Sequence, residues 1–103
     1  MNVFICTAFI LTQPKLKKVK HQNYCYMLLS LHNVYNSENR ILNLKIKAFA
    51  KAKIAKRIFD LYKQKDKVLI EGSIDIKKIL LLSNHAKKYS AYIRIDQINN
   101  IYI

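Results

Sequence analysis

A chain of 103 residues, 51% of them apolar, is sized for one domain over residues 1–103 with a modest core, which argues against disorder. Lysine and arginine number 19 against 6 acidic residues, a formal charge of +13. Such an excess works against a compact fold by self-repulsion and points to a polyanionic partner: nucleic acid first, an anionic membrane surface second.

Residues Val3 to Thr12 form a run of high β-propensity. No basic segment precedes the apolar part and it is too short to span a bilayer, so it reads as a strand and not as a signal peptide. Pro14 ends or bulges that strand, because proline has no N–H for a ladder. KLKKVK follows, with Lys15, Lys17, Lys18 and Lys20. It reads as a basic strand extension or as a loop. Its crowded ammonium groups repel one another unless neutralised, which makes Lys17 and Lys18 candidate phosphate contacts.

His21 to Asn23 is a polar break. In YCYMLLSL, Cys25, Met27, Leu29 and Leu31 share one strand face, and Tyr24, Tyr26, Leu28 and Ser30 the other. HNVYNSENR, from His32 to Arg40, reads as a hairpin loop in which Tyr35 is the one large ring. Cys6 and Cys25 show no CxxC or paired His/Cys spacing. Lying among apolar residues, they read as buried thiols in a reducing compartment, not as a disulfide or zinc site.

Ile41 to Phe49 is the most informative strand. Leu42, Leu44, Ile46 and Ala48 point toward a core, while Asn43, Lys45, Lys47 and Phe49 point away. Lysines beside a ring suit a single nucleic-acid strand, the ammonium groups taking phosphates and the ring an unstacked base. The alternative is that Phe49 packs under the next helix and the lysines are only solvated. Ala50 to Gln64 is predicted helical, with Ile54, Ile58, Leu61 and Tyr62 as a buried stripe that Phe59 widens. Lys53, Lys56, Arg57, Asp60 and Lys63 fall on the wet side. A basic amphipathic helix could also lie on a membrane surface, but its place between two strands argues for a domain element and no membrane partner.

Lys65 to Lys67 is a turn. In VLIEGSI, Val68, Ile70, Gly72 and Ile74 alternate with Leu69, Glu71 and Ser73. Gly72, the chain's one glycine, marks a bulge, a barrel corner or a close backbone approach, or is merely tolerated. Lys77 and Lys78 begin a second exposed region, and Ile79 to Leu82 pairs back as a hairpin. Ser83 to Lys88 is its loop. In Tyr89 to Ile95, Ala91, Ile93 and Ile95 alternate with Ser90, Tyr92 and Arg94. Ile98, Ile101 and Ile103 end the chain. Five strands with a helix between the third and fourth describe a small β-barrel or an α+β domain.

Catalytic chemistry is not legible. The acidic residues are scattered, His21, His32 and His85 lie in polar loop-like segments, and no phosphate-binding glycine motif or nucleophile elbow occurs. The chain reads as no enzyme, with no metal site and no cofactor. Ile, Lys and Asn make up 40 of the 103 residues, and their A/T-rich codons suggest an AT-rich genome such as an organelle's.

The stretch ILNLKIKAFAKAKIAKRIFDLYKQKDKVLIEGSI resembles bacterial-type single-stranded DNA-binding proteins, whose strand, helix, turn and strand end in V-x-x-E-G. Asn2 and Pro14 also stand where that family often has them. The shorter plastid-encoded members from algae are the most similar in kind. The resemblance implies an all-β OB-fold with one helix: a five-stranded barrel with the helix between strands 3 and 4. It implies sequence-independent binding of single-stranded DNA in organellar replication, repair or recombination, and a plastid location. Tyr35 and Phe49 match positions at which the family stacks bases. Two further stacking positions fall on Asn43 and Ile79, which carry no ring. Lys17, Lys18, Lys45, Lys47, Lys51, Lys77 and Lys78 would track the phosphates. Family members assemble as tetramers or dimers, so a homo-oligomer is expected. They usually carry a glycine-rich tail with an acidic tip; here the sequence stops at Ile103, so partner recruitment is expected to be missing or achieved otherwise. Two other readings stand beside this one: an RNA- or ribosome-associated OB-fold protein, and a small basic structural subunit docking an acidic protein.

Overall fold

In a computed structural model of the protein, residues 3–35, 41–80 and 87–101 are described; for residues 4, 32–35, 41–43, 76–80 and 87–90 the description covers the backbone only. The elements are β1 (Phe4–Ile10), β2 (Lys15–Val19), β3 (Gln22–Tyr35), β4 (Ile41–Lys51), α1 (Ala52–Leu61), β5 (Lys67–Leu80) and β6 (Lys87–Asn100). The sheet runs β1-β5-β6-β4-β3-β2, and β1 also pairs with β3. Five strands therefore close on themselves, and β2 extends the sheet beyond β3. All pairings are antiparallel except β4 with β6.

The expected five-stranded barrel with one helix is present, and KLKKVK is a strand from Lys15 to Val19. β1 and β2 both run along β3. Ile10 opposes Leu29 and Lys15 opposes Tyr26, so five steps on one side match three on the other. The surplus is taken up around buried Pro14. The ladder gap is filled by Leu28, whose N–H donates to Thr12 Oγ1 at 2.9 Å. Counted together, β1 and β2 are one broken strand, which leaves the helix between the third and fourth strands as expected.

Alternation decides which side faces the core. Cys25, Met27, Leu29 and Leu31 of β3, Ala48 and Ala50 of β4, Val68 and Ile70 of β5 and Ile93, Ile95 and Ile98 of β6 are buried together. Gly72 lies at a β-bulge: Glu71 faces Gln97 while Gly72 faces Ile95, leaving Asp96 as the extra residue of β6. A side chain at Gly72 would run into the Arg94 carbonyl. The bulge also explains why the buried isoleucines of β6 are spaced two apart and then three.

Several boundaries differ from the sequence reading. β3 continues to Tyr35, into the segment expected to be a loop, and the remainder of that loop, 36–40, lies outside the described residues. The predicted helix begins two residues late and stops early, because Ala50 and Lys51 pair with Cys25 and Tyr24 as strand. Leu61 is 63% exposed and Phe59 43% exposed, so the buried stripe is Ala55, Ile58 and Tyr62 with Ile54 beside it. Leu61 sits at the edge of that arc, where the helix ends. Leu44 is likewise 43% exposed, on the stretch of β4 before its pairing with β6 begins at Lys47. β5 runs straight through Leu80 against Lys87; the predicted loop at 83–88 is strand at its last two residues, and 81–86 lie outside the described residues.

α1 closes one end of the barrel. Tyr62 just after it is buried, and its hydroxyl donates to the Ile98 carbonyl. The following turn is tied to the β1–β2 break: Lys65 N–H donates to Ile10 O at 2.7 Å and Gln64 Nε2 to Leu11 O at 2.9 Å. No helix among the described residues is long and apolar enough to cross a membrane.

Candidate nucleic-acid interface

Residues opposite one another in a ladder point to the same side of the sheet. The register can therefore be read as rows across the outer face. One row is Lys15, Tyr26, Phe49, Arg94, Ser73. The next along the strands is Leu28, Lys47, Tyr92, Asp75, and on the other side lies Lys17, Tyr24, Lys51. Lys45 continues β4 beside Ser30. Four rings and six cations thus share one continuous surface of β2, β3, β4 and β6.

The side chains bear this out. Tyr24 and Tyr26 stack along β3 with centroids 6.3 Å apart. Phe49 meets Tyr92 across the β4–β6 seam at 5.6 Å, tilted by 49°. Lys51 Nζ lies 5.9 Å from both the Tyr24 and Phe49 centroids, within cation–π range. Phe49 is half-buried, with Tyr92 beside it on the outer side of the sheet, and Tyr26 is 44% exposed. Lys15, Lys17, Lys45, Lys47 and Lys51 are exposed, and none has a carboxylate partner among the described residues. Arg94 alone is paired, its Nε 3.5 Å from Asp96. At strand spacing, next-but-one lysines such as Lys45 and Lys47 stand about 7 Å apart and repel by roughly 0.6 kcal/mol even at water's dielectric constant. The first turn of α1, which starts beside Lys51, contains no acidic residue to offset them.

Two among the solved structures that share this architecture cover nearly the whole chain. One is the SSB domain of a Synechococcus sp. protein: 16% identity, TM-score 0.72, covering 97% of this chain and 96% of the other. The other is a small single-stranded DNA-binding protein from Streptomyces coelicolor: 13% identity, TM-score 0.77, covering 97% and 94%. No protein-family model and no curated protein matches the sequence. The fold is an OB-fold.

On this OB-fold the residues singled out from sequence separate into groups. Lys45, Lys47, Phe49 and Lys51 lie together on β4, and Lys17 joins them beside Tyr24. Lys18 does not: it pairs with Asn23 and falls on the opposite face of β2 from Lys17. Lys77 and Lys78 pair with Ser90 and Tyr89 in the β5–β6 arm, and Tyr35 pairs with Ile41 at the end of β3. The side chains of these three lie outside the described residues, as do those of Asn43 and Ile79. Tyr24, Tyr26, Tyr92 and Arg94 were not singled out. Their strands' alternation put them on non-core faces, but nothing local to β3 or β6 says that those faces adjoin Phe49.

The OB-fold's remaining chemistry is quiet. Cys6 and Cys25 are free thiols. Burial pushes the Cys25 thiol up to about 11 and raises Cys6 as well, so both stay protonated near neutral pH. Among the described residues no three His, Cys, Asp or Glu side chains group as metal ligands would.

Proposed function

We propose that this OB-fold binds single-stranded DNA without sequence preference, by stacking bases on Tyr24, Tyr26, Phe49 and Tyr92 while Lys15, Lys17, Lys45, Lys47, Lys51 and Arg94 hold phosphates. The observation that carries the reading is the interleaving of rings and unpaired cations on one face. A duplex offers only phosphates to such a surface, because its base faces are already stacked; a single strand offers both. The neighbours named for single-stranded DNA binding support the same reading. Two expected stacking positions fall on Asn43 and Ile79, and Tyr24, Tyr26 and Tyr92 supply rings in their stead.

The protein acts as a binding module and not as a catalyst, in DNA replication, repair or recombination of a plastid whose AT-rich genome encodes it. The abundance of Ile, Lys and Asn supports that setting. It works as a homo-oligomer, which the exposed apolar residues Val3, just before β1, Ile5 on β1 and Leu69 on β5 favour. The test is fluorescence anisotropy of labelled oligo-dT, oligo-U and a matched duplex across a salt series, with sedimentation to give the assembly state. Tight, salt-sensitive binding of oligo-dT over duplex is expected. Equal affinity for duplex and single strand refutes the platform, and preference for oligo-U transfers it to RNA.

A further inference from the structure

We infer that the bound strand continues beyond the ring-lined strip: past Tyr24 it turns over the end of the sheet and lays its sugar–phosphate backbone in a cleft between the β2–β3 hairpin and α1, where Lys18 and Lys53 hold phosphates. The inference rests on the single-strand reading above and adds a second contact region to it. The strip's last row toward the hairpin turn is Lys17, Tyr24 and Lys51. The residues next to that row, Asn23 on β3 and Ala52 at the start of the helix, already stand in the wall of the cleft. This is a cavity of about 370 Å³ bounded by His21, Gln22 and Asn23 on the hairpin and by Ala52, Lys53 and Lys56 on the helix. The cleft therefore opens where the strip ends.

Two backbone features bring cations to it. Lys18 opposes Asn23, so the pleat that takes Lys18 off the strip turns it to the side of the hairpin on which Asn23 lies. Ala52 has a φ of 57°. In a continued strand Lys53 would share the face of Lys51; the left-handed turn between them starts the helix, and Lys53 enters the wall of the cleft instead. Lys18 and Lys53 are exposed, and neither has a carboxylate partner among the described residues, whereas Lys56 is tied to Asp60 at 3.0 Å. The wall offers cations and the amides of Gln22 and Asn23, with no aromatic ring and no carboxylate. A site for a small molecule would be lined mainly by apolar groups. This one suits a phosphodiester backbone, which positions a strand without reading its sequence. A strand folded round the end of the hairpin also neutralises both Lys17 and Lys18, which face opposite sides of it.

The test compares a short and a long oligo-dT, of about 5 and about 14 nucleotides, within the roughly 4–16 that one OB-fold covers. Salt slopes are measured for the wild-type chain, the double variant Lys18→Gln with Lys53→Gln and, as a control beyond the far end of α1, Lys63→Gln, with a melting curve for each to confirm the fold. On the long oligomer the double variant is expected to lower the slope of log K against log salt by about 1.4, two single-strand phosphate contacts at roughly 0.7 each. On the short oligomer, which the rings of the strip hold, its slope should match the wild type's, and Lys63→Gln should change neither. A double variant that leaves the long oligomer's slope unchanged, lowers both slopes equally, or is matched by Lys63→Gln overturns the inference while the platform stands. A wild type that binds neither oligomer, or binds a matched duplex as tightly, overturns the functional reading, and the cleft falls with it.

Discussion

Replacing Tyr26 with alanine separates stacking from charge. The ring is 44% exposed on the outer face, stacked on Tyr24 and opposite Phe49, so its removal leaves the core untouched. A stacked base is worth about 1–3 kcal/mol, so Kd should rise by about 5- to 140-fold. That loss should be the same at every salt concentration, since no ion is released when a ring is lost. Lys47→Ala should behave in the opposite way. Each phosphate contact to a single strand contributes about 0.7 to the slope of log K against log salt, so the ratio of wild-type to variant affinity should shrink by roughly 2.6-fold between 50 and 200 mM. With five unpaired lysines and Arg94 on the face, the wild type itself should lose about 100- to 300-fold over that range. Anisotropy titrations of one oligo-dT at four salt concentrations give all three quantities. If Tyr26→Ala loses affinity in step with salt, or loses none, the rings are not a stacking surface.

Other outcomes follow from the fold itself. Gly72→Ala should destabilise the protein by about 3 kcal/mol in urea unfolding, at the upper end for overpacking, because the obstacle is the Arg94 carbonyl of a paired strand and not a side chain that can swing away. The β2–β3 hairpin turns on Lys20 and His21, with φ of 50° and 67°, a two-residue turn that favours Asn-Gly. Lys20→Asn with His21→Gly should gain about 1 kcal/mol and raise Tm by about 4–8 °C. Cys25 should resist iodoacetamide at pH 8 until urea is added: with its thiol pushed up to about 11, only about one molecule in a thousand is thiolate, and the side chain is fully buried. Cys6, partly exposed, should react first.

What a strand buries was legible because it is written in adjacent residues. Cys25 to Leu31 and Val68 to Ile70 alternate in the sequence as they do in the barrel. Gly72 drew attention to its position, though the sequence left a bulge, a corner, a close approach or mere tolerance open, and the register shift beside it makes it a bulge. Where two good local options compete, the chain's own pattern does not choose. Ala50 and Lys51 are sound helix formers, yet pairing with Cys25 and Tyr24 holds them in strand. The candidate interface was legible along β4 and at Lys17 of β2. Its remaining rings come from β3 and β6, and their approach to Phe49 depends on a parallel pairing, Lys47 with Tyr92 and Phe49 with Arg94, between strands 45 residues apart in sequence. The lysine pair 17–18 shows the converse. Neighbours in sequence are separated by the pleat, and only one of them reaches the strip.

The lysines proposed to attract a strand also burden the barrel that carries them. Lys45, Lys47 and Lys51 lie in line on one strand, with Lys15 and Lys17 nearby, and none of them is paired with a carboxylate among the described residues. Added salt screens that repulsion and so stabilises the free protein. It also weakens the hold on phosphates. Ligand-linked stability grows as RT ln(1 + [L]/Kd), so a bound strand stabilises the fold most where salt is lowest, which is where the free fold is weakest. The stability of the free chain and the extra stability that a bound strand confers must therefore respond to salt with opposite signs. A basic surface that served only solubility would produce the first response without the second. One whose cations face a strand's phosphates must produce both, and the function proposed for the rows of Lys15, Lys17, Lys47 and Lys51 among four rings therefore predicts both responses for this protein.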